Sequence, residues 1–443
     1  MIKLSRFPEN NYQKIENDIK ELGSLDGVIN YYESFIERYK RLDDLYTFTE
    51  YLNEDYIYSQ LAEKYHYKIR TFFGMPFGVK DVFNTNVLPT TMGSVVWKDF
   101  RAGNNARVVD EISDRGGLIF SKTKTAEFAV HYIQDGETKN PHNTGRITGT
   151  SSAGSAVAVA SGALPICLGT QTAGSIVRPS SFCGVYGFKP SFGAFDRTGV
   201  LKTTDTLDTI GLIGADLYGI RKTFTEVFQK DRNYPNAARY FYNHESYLNK
   251  PTPRIGVLTD QFEKYGDYDQ QVKSDFSLLL DQLSQTYPDI SRVENTPYIN
   301  SIHQLHDTIY CKSLSYYFQD EYARGSGVSD LMNMMIEKGK KVDTASFKSA
   351  LAQQPEIRRK FDKAFEGYDF ILTPSTASAA PEIGKPERDD TSLIWTFLGY
   401  PAISLPVFHD EELSMPFGLQ VIAPKFSDFS LLDFSERIVN IFN

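Results

Sequence analysis

The segment from Gly149 to Gly184 limits most strongly what this chain can fold into, because it holds the densest cluster of small and hydroxyl residues. Its two serine-rich turns are separated by stretches that suit one helix (155–161) and one strand (164–168). Elements of these lengths would bring both turns to the same end of a sheet, where α/β proteins usually place their sites. Small residues also permit close helix packing, so the functional interpretation depends on the motifs that accompany the segment.

The pattern of apolar and charged residues divides the chain into four regions of one predicted α/β domain. Residues 1–69 are charged and rich in tyrosine, with apolar residues three and four apart, which predicts two or three amphipathic helices. Residues 70–225 alternate short apolar runs with helix-like segments and form the predicted catalytic core. Residues 230–365 are predicted to be a helical lid or side wall, and residues 366–443 return to strand-like runs that complete the sheet.

Composition argues against several classes of function. The 443 residues carry a formal net charge of −9 and show no basic stripe, so a nucleic-acid partner is not expected. Cys167, Cys183 and Cys311 have neither CxxC nor metal-ligand spacing, which argues against disulfides and zinc. No signal-like or membrane-length apolar stretch and no phosphate-binding loop is present. We therefore expect a cytoplasmic protein with no cofactor, metal or membrane partner, and leave a homodimer open.

Three motifs follow one another in a fixed order: GVKD at 78–81, GTSSAGS at 149–155 and TAGSIVRPSSFCG at 172–184. This set resembles the amidase-signature family, whose pattern is a lysine in a G-V/I-K-D turn, a GGSSGGS segment, and a GGS turn followed by P-x-S-F-C-G-x-x-G-x-K-P. The last part reads RPSSFCGVYGFKP at 178–190, and the resemblance covers most of 70–435. It implies the amidase-signature fold, an α/β fold with a large mixed central β-sheet covered by helices on both faces.

The resemblance also implies a catalytic Ser-Ser-Lys triad. Ser175 matches the nucleophile, Ser151 the relay serine and Lys80 the base. A lysine can accept a proton only when it is neutral, and burial depresses a lysine pKa. We therefore expect Lys80 in a closed pocket without a carboxylate partner, although Asp81 follows it directly. Neighbouring side chains on a strand point to opposite faces, which would keep the two apart.

The nucleophile turn is expected to stabilise the oxyanion that forms during amide cleavage. The run Thr172, Ala173, Gly174 and Ser175 can supply successive backbone N–H groups around the reacting carbonyl. A second turn departs from the family, which holds its relay serine after a cis peptide that usually follows a glycine. Here Thr150 takes that position, and a β-branched residue is less permissive than glycine.

Arg178 is the main indication of the substrate. Many family members have arginine two residues after the nucleophile, whereas this chain has Val177 there and arginine at the third position, as in malonamidase. In that relative the arginine faces a substrate carboxylate, with the threonine corresponding to Thr170 nearby. Together with Ser152, these residues predict binding of a small acidic amide, because a guanidinium clamps a carboxylate bidentately. The alternative left open is that Arg178 only ties its loop to an aspartate.

Three functions fit these motifs. The first is a hydrolase that cleaves a small-molecule amide through an acyl-enzyme and releases ammonia or an amine. The second is a glutaminase-type subunit of a tRNA-dependent amidotransferase, which hands ammonia to a partner; such subunits normally carry the arginine that Val177 replaces. The third is a catalytically silent binding protein on the same fold, against which the intact set of Lys80, Ser151 and Ser175 argues.

Overall fold

The computed structural model describes residues 11–66, 70–130, 137–228, 252–259, 268–293 and 299–442. Within these ranges the chain forms fourteen α-helices and one mixed sheet of eleven strands. The predicted α/β class with a large mixed sheet is therefore confirmed. Parts of the predicted N-terminal region (1–10, 67–69) and of the predicted lid (230–251, 260–267, 294–298) lie outside the described residues.

The bounds of the elements are as follows, in chain order. The strands are β1 (Thr49–Leu52), β2 (Pro76–Lys80), β3 (Leu118–Thr123), β4 (Ile166–Gln171), β5 (Tyr186–Lys189), β6 (Thr209–Gly214), β7 (Ile255–Val257), β8 (Ile290–Arg292), β9 (Phe370–Pro374), β10 (Ala402–Asp410) and β11 (Met415–Ile422). The helices are α1 (Tyr12–Glu21), α2 (Leu25–Tyr46), α3 (Glu54–Tyr65), α4 (Arg107–Asp114), α5 (Ala153–Ala160), α6 (Val177–Cys183), α7 (Leu217–Val227), α8 (Gln270–Ser284), α9 (Ile299–Tyr317), α10 (Gln319–Ala323), α11 (Asp330–Lys341), α12 (Thr344–Phe365), α13 (Ser392–Leu398) and α14 (Asp428–Phe442).

The sheet order is β1-β3-β2-β4-β6-β5-β10-β11-β9-β7-β8. Strand β2 runs parallel to both β3 and β4, and Val79 pairs with Leu168 in the β2–β4 register. The carboxyl ends of β2 and β4 therefore meet at one edge of the sheet. This register brings Lys80, the last residue of β2, beside Thr170 near the end of β4.

The strands that carry this edge are buried along their whole length. Every residue of β2, β3, β4 and β6 is buried, the pattern of strands covered on both faces. Close contact between β2 and β4 requires the glycine of the GVKD motif. A Cβ on Gly78 would lie 2.4 Å from Cys167 Sγ and 2.8 Å from Leu164 Cδ1.

The N-terminal region contains three helices, α1 to α3, and also an edge strand that the sequence did not predict. Strand β1 pairs antiparallel with β3, where Leu52 faces Ser121. Four residues are too few for a periodic signal. Buried tyrosines of α2 join these helices to the sheet: the Tyr39 ring lies 5.0 Å from that of Phe120, and its hydroxyl donates to Ser121 Oγ at 2.8 Å.

The described part of the 230–365 region is mainly helical, and α9 packs against α11, α12 and α13. Helix α9 also reaches the predicted site, because His306 contacts the backbone of Thr172. None of the described helices is both long enough and apolar enough to cross a bilayer.

Candidate active site

Lys80 lies in a closed pocket at the end of β2, with no solvent-exposed surface. Its Nζ is 2.7 Å from Ser151 Oγ, 3.0 Å from Ser152 Oγ and 3.0 Å from Thr170 Oγ1. Ser151 and Ser152 come from the turn before α5, whereas Thr170 comes from β4. The predicted relay serine and two residues predicted to bind substrate thus all contact the same lysine.

Burial is the main cause that lowers the pKa of Lys80 well below its usual value, and the charge of Asp208 opposes it in part. Among the described residues no carboxylate oxygen lies within 4.0 Å of Lys80 Nζ. A buried amine without a counter-ion favours the neutral form. The local structure therefore supplies the condition under which a lysine can accept a proton.

Asp81 is paired with another lysine. Lys122 Nζ lies 2.7 Å from Asp81 Oδ1, and both side chains are fully buried. The second oxygen of Asp81 accepts the N–H of Thr91 at 2.9 Å, while Lys122 donates to the carbonyls of Phe83 and Pro89 at 2.8 and 3.1 Å. This ion pair both neutralises Asp81 and fixes the loop that follows β2.

The turn that carries Ser151 packs closely against the backbone of neighbouring segments. The Thr150–Ser151 peptide is cis, with threonine in place of the family's usual glycine. Gly149 has φ of +77°, and a Cβ on Gly154 would lie 2.5 Å from the backbone nitrogen of Lys124. Small residues here are needed for packing, as the close distances around Gly154 show.

Ser175 lies two residues before α6 and is only 5% exposed. Its hydroxyl makes no hydrogen bond with any of the described residues. Gln171 supports this turn, because its Oε1 accepts the N–H groups of Ile176 and Val177 at 2.7 and 3.0 Å. The first N–H groups of a helix lack partners inside it, so the glutamine replaces the missing cap. The sequence motifs do not indicate this role of Gln171.

Side chains of two other helices donate hydrogen bonds to the backbone carbonyls just before Ser175. The Thr172 carbonyl accepts a hydrogen bond from His306 Nε2 at 2.9 Å, and the Ala173 carbonyl accepts one from Thr396 Oγ1 at 2.7 Å. The Thr172 hydroxyl donates to Asp208 at 2.9 Å. Burial is the main cause that lowers the pKa of His306 to about 4, so its ring is neutral at pH 7. His306 and Thr396 come from distant segments and carry no motif that the sequence could reveal.

Arg178 is engaged by two carboxylates of the chain itself. Its Nε lies 2.7 Å from Asp390 Oδ2 and its Nη1 lies 2.8 Å from Glu387 Oε2. This arrangement is the one that the sequence left open as the alternative to substrate binding, with a glutamate in addition. Burial raises the pKa of Glu387 to about 7 in spite of the neighbouring guanidinium.

A cavity of about 770 Å³ opens beside the turn that carries Ser151. Thr150 and Ala153 form part of its wall, and the edge strand β1 contributes Glu50 and Tyr51. The remaining lining residues include Ser94, Val95, Lys98, Lys124, Glu127, Glu137, Val328 and Leu331. Within the described ranges, no group of three or more His, Cys, Asp and Glu side chains is arranged to hold a metal ion.

Sequence comparisons relate most of the chain to known proteins. The family model described as Amidase matches residues 31–432. A glutamyl-tRNA(Gln) amidotransferase subunit of Lachnoclostridium phytofermentans is 31% identical over 404 residues, which cover 81% of each chain. The corresponding protein of Pelagibacter ubique is 27% identical over 441 residues, which cover 90% of each chain.

Solved structures show the same fold. A crystal structure of an amidase superposes with a TM-score of 0.83 at 24% identity, covering 97% of this chain and 99% of the other. Native peptide amidase from Stenotrophomonas maltophilia gives a TM-score of 0.83 at 20% identity, covering 98% and 96%. These comparisons do not single out the malonamidase-like branch. The family match over most of the chain and the shared fold lead to one conclusion: this chain belongs to the amidase-signature family.

Proposed function

We propose that this chain hydrolyses a carboxamide through an acyl-enzyme, with Ser175 as nucleophile, Ser151 as proton relay and Lys80 as base. The observation that carries this proposal is the 2.7 Å contact between Lys80 Nζ and Ser151 Oγ at a fully buried amine. Membership of the amidase-signature family supports the same roles.

The hydroxyl groups around Lys80 match the needs of a neutral amine, which has two N–H donors and one lone pair. Ser152 Oγ directs its own proton to the Thr170 carbonyl at 3.3 Å, so its lone pairs are available to accept from Lys80. Thr170 Oγ1 can accept the second N–H. The lone pair of Lys80 then remains for the proton of Ser151, the closest of the three hydroxyls. Ser152 and Thr170, predicted to bind substrate, are better placed to hold the base.

The reaction that we infer uses these residues; Ser175 Oγ has no hydrogen bond to Ser151 among the described contacts, so the two hydroxyls have to approach each other when substrate binds. Lys80 accepts the proton of Ser151 while Ser151 accepts that of Ser175, and Ser175 Oγ attacks the amide carbon. The lysine then returns the proton through Ser151 to the amide nitrogen, the C–N bond breaks, and ammonia or an amine leaves. In the second half, water gives a proton through Ser151 to Lys80 and attacks the ester carbon. The bond from that carbon to Ser175 Oγ breaks, the proton returns through Ser151 to Ser175 Oγ, and the acid leaves.

The predicted oxyanion donors, the N–H groups of Thr172, Ala173, Gly174 and Ser175, gain support from the contacts of this run. In a trans peptide the C=O and the following N–H point in opposite directions. The Thr172 and Ala173 carbonyls are held from α9 and α13, so the N–H groups of Ala173 and Gly174 are directed the other way. Each such donor is typically worth about 10²–10³ in rate.

A second candidate function is the glutaminase subunit of a tRNA-dependent amidotransferase. Its support is the similarity to the glutamyl-tRNA(Gln) amidotransferase subunit described above, with 31% identity over 81% of that protein. The same three residues would then cleave glutamine, and the ammonia would pass to a partner subunit, so a heteromeric assembly replaces the homodimer that the sequence left open.

The cavity beside Thr150 is large enough to hold a small molecule. Its volume of about 770 Å³ falls within the roughly 300–1,000 Å³ of small-molecule sites. Its lining residues include Thr150 and Ala153 but not Lys80, Ser151 or Ser175, so the cavity by itself does not identify the substrate.

Labelling with a fluorophosphonate, followed by intact mass and peptide mapping, tests the nucleophile. We expect one adduct on Ser175 and none in Ser175→Ala; an unlabelled Ser175 would favour the silent binding protein. Ammonia release is then measured from dicarboxylic monoamides, aryl amides, ureas and glutamine. Turnover by the purified chain supports the amidase, whereas turnover of glutamine only after partner subunits are added supports the amidotransferase.

A further inference from the structure

The side chains of Arg178, Glu387 and Asp390 form a compact ionic group, the Arg178 cluster. The two ion-pair distances are 2.8 and 2.7 Å, and the three side chains are 10%, 5% and 1% exposed. Arginine and aspartate are rarely buried to this extent unless they are paired. The cluster is therefore part of the protein interior and not a surface contact.

The cluster lies between the two serine-bearing turns. A Cβ on Gly174, the residue before Ser175, would lie 2.9 Å from Arg178 Nη2 and 3.1 Å from Cζ, so the guanidinium packs directly on that backbone. On the other side, the Thr150 backbone N–H, one residue before Ser151, donates to the Glu387 carboxylate. An amide bound at Ser175 would therefore have its acyl group close to these charges.

The charges do not cancel. One guanidinium and two carboxylates leave a net charge of −1 when all three groups are ionised. Water screens such a charge only weakly in a buried site, and the field over a few ångströms is strong. The place that a substrate carboxylate would take on Arg178 is already taken by Glu387 and Asp390.

We propose that the Arg178 cluster selects substrates by charge, disfavouring amides with a carboxylate near the scissile carbonyl and favouring neutral or cationic acyl groups. This inference rests on the proposed amide hydrolysis and names its substrate class. It replaces the small acidic amide that the sequence predicts, because the arginine on which that prediction depends is neutralised within the chain.

The selectivity should also depend on pH. Burial raises the pKa of Glu387 to about 7, with Arg178 opposing and Asp390 adding to the effect. His303 of α9 also faces this region, since Asp389 and Asp390 act on its pKa, which burial lowers. Above pH 7 Glu387 is ionised and the cluster is anionic, and below pH 7 it approaches neutrality. Discrimination against anionic amides should therefore increase as the pH rises through 7.

The test compares three amides of similar size: butyramide, malonamate and β-alaninamide. We expect kcat/KM for malonamate to be about ten- to a hundredfold below that for butyramide at pH 8, with β-alaninamide equal to or above butyramide. Glu387→Gln should raise the relative rate for malonamate, and the double variant Glu387→Gln/Asp390→Asn should make malonamate the best of the three. Asp389→Asn, an equal change of charge on an exposed residue of the same loop, should leave the order unchanged.

A preference of the wild-type protein for malonamate, or an unchanged order in the double variant, would overturn the inference. If the variants do not fold, the ratio of malonamate to butyramide turnover in the wild-type protein at pH 6 and pH 8 gives the answer, since a constant ratio contradicts the proposal. If none of the amides is turned over, the labelling rates of neutral, carboxylate-bearing and amine-bearing alkyl fluorophosphonates at Ser175 should follow the same order. Failure of every reagent to label Ser175 would instead contradict the proposed function.

Discussion

Asp81 follows Lys80 directly, yet its carboxylate forms an ion pair with Lys122 at 2.7 Å, and both side chains are fully buried. The pairing gives Asp81 a partner other than Lys80, so this carboxylate does not serve as the counter-ion of the buried amine. Burial alone then lowers the pKa of Lys80, opposed only in part by Asp208. Two adjacent residues with opposite charges can thus serve different purposes, since they point to opposite sides of the chain.

Replacing Lys80 by methionine should separate activity from stability. We expect turnover to fall by at least about 10²-fold, because the base is lost. The free energy of unfolding should rise at neutral pH, because the folded state no longer buries an amine that the unfolded state protonates. Since the pKa of Lys80 is lower in the folded protein, wild-type stability should increase as the pH rises towards the unfolded value near 10.4. Urea unfolding from pH 7 to 10 should show a shallower slope in Lys80→Met, and unchanged activity would refute the assignment of the base.

The Asp81–Lys122 pair should show strong coupling in a double-mutant cycle. Asp81→Asn or Lys122→Met alone leaves a buried charge without its partner and should cost about 3–5 kcal/mol of unfolding free energy. The double variant should cost clearly less than the sum of the two. Lys64 is a matched control, since this buried lysine donates to the carbonyls of Ser113 and Gly117 instead of a carboxylate. Asp81→Asn and Lys64→Met should be additive within about 0.5 kcal/mol.

Gln171→Leu should damage the nucleophile turn. It removes the acceptor for the N–H groups of Ile176 and Val177, so we expect a loss of about 1–3 kcal/mol in stability together with a lower kcat. Gln60 offers the comparison, because this buried glutamine bonds the backbone of Ile119 in β3. Gln60→Leu should destabilise the protein to a similar degree. Its kcat, normalised to the concentration of Ser175 that the fluorophosphonate labels, should stay at the wild-type value. Equal kcat in the two variants would show that Gln171 only stabilises the fold.

His306 should make stability depend on acid pH. Its pKa is about 4 in the folded protein against about 6.5 in the unfolded chain, so between these values the unfolded state binds the extra proton. Stability contributed by the neutral ring is complete above pH 6.5 and is lost as the pH falls towards 4, on the order of 2–4 kcal/mol in total. His306→Gln keeps a donor for the Thr172 carbonyl and should flatten this dependence. Urea midpoints between pH 4.5 and 7.5 measure it, and an unchanged slope would contradict the assignment.

Much of the fold could be predicted from short-range patterns. Helices α1 to α3 follow from apolar residues three and four apart, and the strands of the core follow from short apolar runs bounded by glycines. Strand β1 was missed because four half-buried residues carry no clear alternation. The roles of Gln171 and His306 were missed for a different reason: each depends on a partner backbone whose position only the folded chain sets.

The sequence by itself determined the order and spacing of the motifs, and with them the family and the candidate residues Lys80, Ser151 and Ser175. These motifs are local, because each turn needs its glycines and hydroxyls within a few positions. Only the tertiary structure decided the charges around them. Asp390 lies 212 residues from Arg178, and no local pattern links the two, yet their contact changes the arginine from a free cation into part of an anionic cluster.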